Sequence, residues 1–164
     1  MPSMDLILYE EEIRLLEQVL KRLRHDSNAR AVFLIDKNGQ QIAADGDVDQ
    51  FDTTSLASLT AGNVAATDSL ARLIGEREFS VLFHEGERDH IHISIVAKRA
   101  ILLVIFDERS SLGLVRLRVK RASGEFDKIF DQMAQKATAE PVAGIASTPF
   151  SEITDDDIDA LFSD

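Results

Sequence analysis

Residues 79–106 contain three apolar runs: Phe79-Ser-Val-Leu-Phe-His84, Ile91-His-Ile-Ser-Ile-Val-Ala97 and Ala100-Ile-Leu-Leu-Val-Ile-Phe106. Only short polar stretches, around Gly86-Glu-Arg-Asp89 and at Lys98-Arg99, part them. Each run is too short for an ordinary helix and rich in β-branched or aromatic residues, so all three read as strands. Connections this short suit antiparallel hairpins and exclude the long crossover that a parallel pair requires. An antiparallel meander therefore sets the fold class.

Working outward, Ala31-Val-Phe-Leu-Ile-Asp36 is another short apolar run, and Gln41-Ile-Ala-Ala44 returns after it. Between them stands Asn38-Gly39, the dipeptide suited to a type I′ turn, in which both central residues need positive φ. Helical periodicity flanks the strands. Ile7, Leu8, Ile13, Leu16, Leu20 and Leu23 mark an amphipathic helix over 7–24. A second runs from Asp52, a capping residue, to Ile74, with Gly75 where a C′ glycine ends a helix. A third covers about 111–136, where Leu112, Val115, Val119, Ala122, Phe126, Ile129, Phe130 and Met133 form a stripe and Ser110 is the candidate cap. The order α-β-β-α-β-β-β-α predicts a three-layer α+β domain: a five-stranded antiparallel sheet with helices on both faces.

The chain has 164 residues, 45% of them hydrophobic, enough for one folded domain and a short extension. Its net charge is −11, which argues against nucleic acid, bound mainly through basic surface. It has no cysteine, so disulfides, thiolate metal sites and cysteine nucleophiles are excluded. The start, MPSMDLILYEEE, has no basic n-region and turns acidic early, unlike a signal peptide. The longest apolar run, Ala100 to Phe106, is far below the roughly 20 residues of a membrane helix. A cytoplasmic protein is expected. Charge also divides the chain. Residues 138–164 hold seven acidic residues and no Lys or Arg. Small residues with Pro141, Gly144 and Pro149 fill Ala137 to Phe150, a linker composition. The expected organisation is a domain over 1–137, then a linker and an acidic C-terminal helix over 138–164.

A search for chemistry finds little. None of the eight glycines opens a phosphate-binding G-x-x-x-x-G-K-[ST] loop, and neither G-x-S-x-G nor H-E-x-x-H occurs. His84, His90 and His92 are the best metal candidates, with a half-exposed strand face as the alternative; no acidic residue stands at a spacing that completes the site. Asp107-Glu108 reads as a solvated pair at a strand end. No catalytic, cofactor or metal residue is assigned, and a binding module is expected rather than an enzyme.

The second helix is more informative. Leu56, Leu59, Asn63, Ala66, Leu70, Leu73 and Ile74 recur at helical spacing and read as its core stripe. The other side carries Ser58, Ala61, Gly62, Ala65, Ser69 and Arg72, small and nearly uncharged where exposed faces usually hold Lys and Glu. Such a surface lets another backbone approach closely at low desolvation cost. Packing of both faces within one monomer is the competing explanation.

The run Thr53-Thr-Ser-Leu-Ala-Ser-Leu-Thr-Ala-Gly-Asn-Val-Ala-Ala66, then Leu73-Ile-Gly-Glu76, Phe83-His-Glu-Gly86 and Val104-Ile-Phe-Asp-Glu-Arg-Ser-Ser-Leu-Gly-Leu-Val-Arg-Leu-Arg118, resembles the MglB-like branch of the Roadblock family. The resemblance covers about residues 5–136 and extends to the acidic end. It implies the Roadblock fold and a homodimer joined edge to edge through Phe79, Val81 and Phe83. The paired second helices would then form a platform for one Ras-like GTPase of the MglA type, in its GTP state, per dimer. The implied activity is that of a GTPase-activating protein in bacterial cell polarity and motility, concentrated at a cell pole, holding the GTPase's own catalytic residues in place without an arginine finger. Arg72 and Arg77 are the candidates should a finger exist. A dimeric scaffold that recruits partners without affecting hydrolysis is the rival reading, because Roadblock domains also serve as dynein light chains and signalling platforms. A small-ligand or metal sensor, resting on the histidines, is a third.

The C-terminal segment Ser151-Glu-Ile-Thr-Asp-Asp-Asp-Ile-Asp-Ala-Leu-Phe162 places Ile158, Leu161 and Phe162 on one side of a short helix. Aspartates in its first turn suit the positive end of the helix dipole. So short a helix is marginal alone and is expected to order on a partner groove, the GTPase by the resemblance. A plain solubilising end is the alternative.

Overall fold

The computed structural model describes residues 10–146, with side chains as far as Thr138. The elements are α1 (Glu10–Ser27), β1 (Ala31–Asp36), β2 (Gln41–Gly46), a 3₁₀ turn (Val48–Gln50), α2 (Thr53–Leu73), β3 (Val81–His84), β4 (His90–Val96), β5 (Ala100–Phe106) and α3 (Leu112–Ala146). This is the order that the hydrophobic patterns predict. The strands form one antiparallel sheet, β2-β1-β5-β4-β3. The two most continuous apolar runs, β1 and β5, pair from Ala31↔Ile105 to Asp36↔Ala100 in its centre. Every residue of β5 is buried, because both faces of the sheet are covered.

Alternation along the strands sorts the core into two layers. Phe33, Ile35, Ile93, Ile101, Leu103 and Ile105 point to the face carrying α2. Val32, Leu34, Leu102, Val104 and Phe106 are buried on the other face, with Leu16, Leu20 and Leu23 of α1 and Val115, Val119 and Phe126 of α3. Each such side chain buried contributes roughly 1.5–3 kcal/mol.

The local signals at helix ends and turns are where sequence and structure differ in detail. Asp52 caps α2 by accepting from Ser55 N at 3.2 Å. At its other end Glu76 N donates to Ala71 O and Gly75 N to Arg72 O, with Gly75 at φ 88°, the Schellman arrangement. α1 closes the same way, with Asn28 at φ 56° in the left-handed position. The cap of α3 is Ser111, whose Oγ accepts from Leu114 N, and not Ser110, whose hydroxyl donates to Ser27 O. The β1–β2 turn is not type I′. Gly39 N donates to Asp36 O across Lys37-Asn38, and only Gly39 has positive φ, so Asn38 stays right-handed and the glycine makes a bulge. The Asp36 carboxylate fixes this geometry by accepting from Asn38 N and Gln40 N. The β4–β5 turn is centred one residue earlier than expected, on Ala97-Lys98, both left-handed.

Residues 137–146 read as linker from composition, but they continue α3 to Ala146. Ala137, Ala139, Ala143 and Ala146 are strong helix formers, which composition alone does not weigh against Pro141 and Gly144 in the same stretch. The chain divides into a unit of residues 8–130, holding the sheet, and a second comprising 1–7 and 131–164, whose described part is the C-terminal stretch of α3.

Candidate protein interface

Helix α2 enters the sheet face from a pinned start. Arg30 Nη1 donates to both carboxylate oxygens of Asp89 at 3.1 and 3.0 Å, and Nη2 to Gln50 at 2.9 Å. Its guanidinium lies 5.3 Å from the centre of the Phe51 ring. Hydrogen bonding to Asp89 raises the Arg30 pKa above its ordinary value. The residues just before α2 are thus tied to the β3–β4 loop.

The stripe that α2 lays on the sheet is Ala57, Thr60, Ala61, Val64 and Ala71. Of the stripe expected to face the core, Leu56 does pack half-buried against it, but the rest of the expectation is reversed. Leu59, Leu70, Leu73 and Ile74, read as core, are 73%, 53%, 83% and 66% exposed. Ala61, read as part of the free face, is buried against the sheet. The reason is steric. The sheet face beneath is already filled by Phe33, Ile35, Ile93, Ile101 and Leu103, so the helix packs with small side chains and lies close. A Cβ at Gly39 would meet Ser58 Cα at 3.2 Å, which shows how closely α2 sits on the β1–β2 turn.

Each residue turns the helix by about 100°, so the exposed surface resolves into two adjoining stripes. Ser58, Gly62, Ala65, Ser69 and Arg72 form the small one, on the flank toward the β1–β2 turn, and all five are exposed. A Cβ on Gly62 would meet nothing within 4 Å among the described residues, so no described neighbour requires that glycine. The second stripe, Leu59, Ala66, Leu70 and Leu73, flanks β3. Asn63 beside it is half-buried, its Nδ2 3.2 Å from His84 Nε2 on β3. Strand β3 is an edge of the sheet, and its Val81 is 45% exposed. Phe83 is half-buried and stacks on Phe106 at 6.2 Å, whereas Phe79 precedes the strand. Among the described residues, five of the six large exposed hydrophobics therefore lie on α2 (Leu59, Leu70, Leu73), at its C-cap (Ile74) or on β3 (Val81), Leu117 being the other. A leucine-rich surface of this kind marks a protein-contact site.

The remaining sequence candidates separate. His84 faces α2, whereas His90 and His92 fall on the opposite face of the sheet, with His90 against Phe83 and Phe106. No group of three metal-ligating side chains occurs among the described residues. Asp107 is held by the Arg109 guanidinium, whose hydrogen bonds keep its carboxyl below the usual range, so it is no acid–base pair with Glu108. Arg72 and Arg77 are both exposed. Ile158, Leu161 and Phe162 lie outside the described residues. No described helix is long and apolar enough to cross a membrane.

Comparison with known proteins agrees with this architecture. The Roadblock/LC7 domain matches residues 15–106. Among solved structures, Myxococcus xanthus MglB is 57% identical, with a TM-score of 0.74, covering 78% of this chain and 96% of its own. The gliding protein MglB from Thermus thermophilus is 35% identical, with a TM-score of 0.73, over 77% of this chain and 96% of its own. An MglB with a tetrameric arrangement is 33% identical, with a TM-score of 0.72, over 78% and 96%. On fold, domain match and identity together, the chain belongs to the Roadblock/LC7 family and is MglB-like.

Proposed function

We propose that this protein is a homodimeric activator of a Ras-like GTPase of the MglA type, acting in bacterial cell polarity and motility. The observation that carries the reading is the two-striped free surface of α2 beside the β3 edge, on a chain 57% identical to Myxococcus xanthus MglB. The leucine stripe adjoins the edge strand, so a second copy is the natural cover for both. Phe79, Val81 and Phe83 are the proposed edge residues. The small stripe then remains free on each copy. Ser58, Gly62, Ala65, Ser69 and Arg72 would receive one GTP-bound GTPase per dimer, while Ala61 beneath supports the helix. A helix-interior glycine costs roughly 0.5–1 kcal/mol relative to alanine. Among the described residues nothing requires Gly62, which favours close approach by a partner backbone.

Phosphoryl transfer is accelerated by positioning and charge stabilisation, so an activator can work by ordering the GTPase's own groups. The platform would hold the switch regions, with Arg72 at its rim; neither Arg72 nor Arg77 is assigned as a finger. Ile158, Leu161 and Phe162 are proposed as a second contact with the GTPase. Concentration at a cell pole would follow from partners.

The test is phosphate release from a GTP-loaded MglA-type GTPase, timed with and without this protein. Acceleration by wild type, lost in folded Ala65→Arg/Ser69→Arg, is the expected result. Acceleration unchanged in that variant would reject the small stripe as the platform. Binding without acceleration would make the protein a scaffold.

A further inference from the structure

A cavity of about 420 Å³ lies on the opposite face of the sheet from α2, between β3–β4 and the N-terminal half of α3. Its floor carries His92 and Ser94, adjacent positions on one face of β4 and only 1% and 5% exposed. His92 Nδ1 and Ser94 Oγ are both buried and have no hydrogen-bond partner among the described residues. Buried polar atoms are ordinarily paired, so two orphans lining one cavity call for a ligand or solvent group. At the rim stand Arg116 and Lys120, one helical turn apart and both exposed. Neither forms an ion pair among the described residues, whereas Arg14, Arg22, Arg24, Arg30 and Arg109 all do. Among the described residues no carboxylate lines the cavity, although the chain carries a net −11. Val81 and Val119 supply apolar wall.

We propose that this cavity binds a small organic anion, its carboxylate or phosphate head held by Arg116, Lys120, Ser94 and His92 and its apolar body against Val81 and Val119. A guanidinium grips either head through paired N–H donors, and an ammonium adds a movable charge. The volume is within the range of small-ligand pockets, and mixed apolar walls with a few convergent polar groups are their usual lining. An inorganic anion would leave those walls uncovered. The site lies on the other face of the sheet from the proposed α2 platform, and Val81 is the one residue it shares with the proposed dimer edge.

The experiment titrates the ¹⁵N-labelled full chain, in phosphate-free buffer, with phenyl phosphate, benzoate, benzyl alcohol and inorganic phosphate, following amide shifts. At least one aromatic anion should give saturable shifts confined to residues 80–82, 92–95 and 116–123. Its affinity should exceed those of benzyl alcohol and inorganic phosphate by at least about tenfold. The tighter of phenyl phosphate and benzoate identifies the head group. Arg116→Ala/Lys120→Ala, both on the exposed rim, should weaken binding at least about tenfold. Should that variant not fold, Arg116→Gln keeps the side-chain stem and should weaken binding in the same direction. Shifts scattered over basic residues elsewhere, equal binding of benzyl alcohol, or unchanged affinity in a folded rim variant would overturn the proposal.

Discussion

Burial strips His92 of water on a strand where no described group pairs with its Nδ1, and the Arg116 cation lies near enough to repel a second positive charge. Desolvation first, and Arg116 second, push the His92 pKa below its ordinary 6.5. Lys120 lines the same cavity, and among the described residues no carboxylate lines it to offset the two cations. On unfolding, His92 recovers its ordinary pKa, so below pH 6.5 the unfolded chain binds a proton that the folded chain refuses. Stability is therefore fully present above 6.5 and lost as pH falls toward the depressed folded value, by up to about 1.4 kcal/mol per pH unit. We expect wild type to lose more stability than His92→Leu between pH 7.5 and 5 in denaturant melts without phosphate. Parallel pH profiles for the two proteins would show that His92 titrates normally in the fold. The alternation of histidine with isoleucine put His90 and His92 on one face from sequence. It gave no warning that one of them would be sealed, because burial depends on how α3 crosses that edge of the sheet.

At the scale of elements, the strands were legible because their apolar runs are continuous and too short for helices. Ala31–Asp36 and Ala100–Phe106 match the structure to the residue. Turns were less so. Whether Asn38-Gly39 takes both central positions or only the bulge depends on a one-residue register, set here by Asp36 bonding to Asn38 N and Gln40 N. The same offset hid the β4–β5 turn, where Ala97 and Lys98 stand at φ 54° and 59°. Side chains with a Cβ are disfavoured there by about 1–2 kcal/mol each, while Asn and Gly suit a turn with two positive φ values. Ala97→Asn/Lys98→Gly should therefore raise stability by about 1 kcal/mol, part of the gain being offset by glycine's freedom in the unfolded chain. Chemical denaturation measures this through its midpoint at constant slope. A lower midpoint would mean that the Ala97 or Lys98 side chain makes a contact worth more than the strain.

At the scale of the molecule, the sequence marked α2 as two-faced but assigned its bulky face to the core. Leucine at helical spacing usually means core. The decisive fact lies in other elements, since Phe33, Ile35, Ile93, Ile101 and Leu103 fill the sheet face and take mainly Ala57, Ala61 and Val64 of α2, with Leu56 packed at their margin. The leucines left outside need cover, and the edge strand beside them has unpaired backbone groups that need the same. One symmetric pairing of two chains would meet both needs, because a two-fold contact joins a surface to its own copy. We therefore expect wild type to sediment with twice the 18.2 kDa chain mass at micromolar concentration. Leu70→Asp/Leu73→Asp should sediment as a folded monomer, since both side chains are more than half exposed and neither belongs to the core. Each leucine buried at an interface is worth roughly 1.5–3 kcal/mol, and the symmetry doubles the loss, so the dimer constant should weaken by at least about three orders of magnitude. Circular dichroism and the unfolding midpoint would establish that the variant is folded. If the variant still sediments as the dimer, assembly uses another surface and the leucine stripe is free for a different partner. If it is monomeric and also fails to stimulate a cognate GTPase, the platform requires both copies. A monomer that stimulates as well as wild type would place the contact on one chain alone.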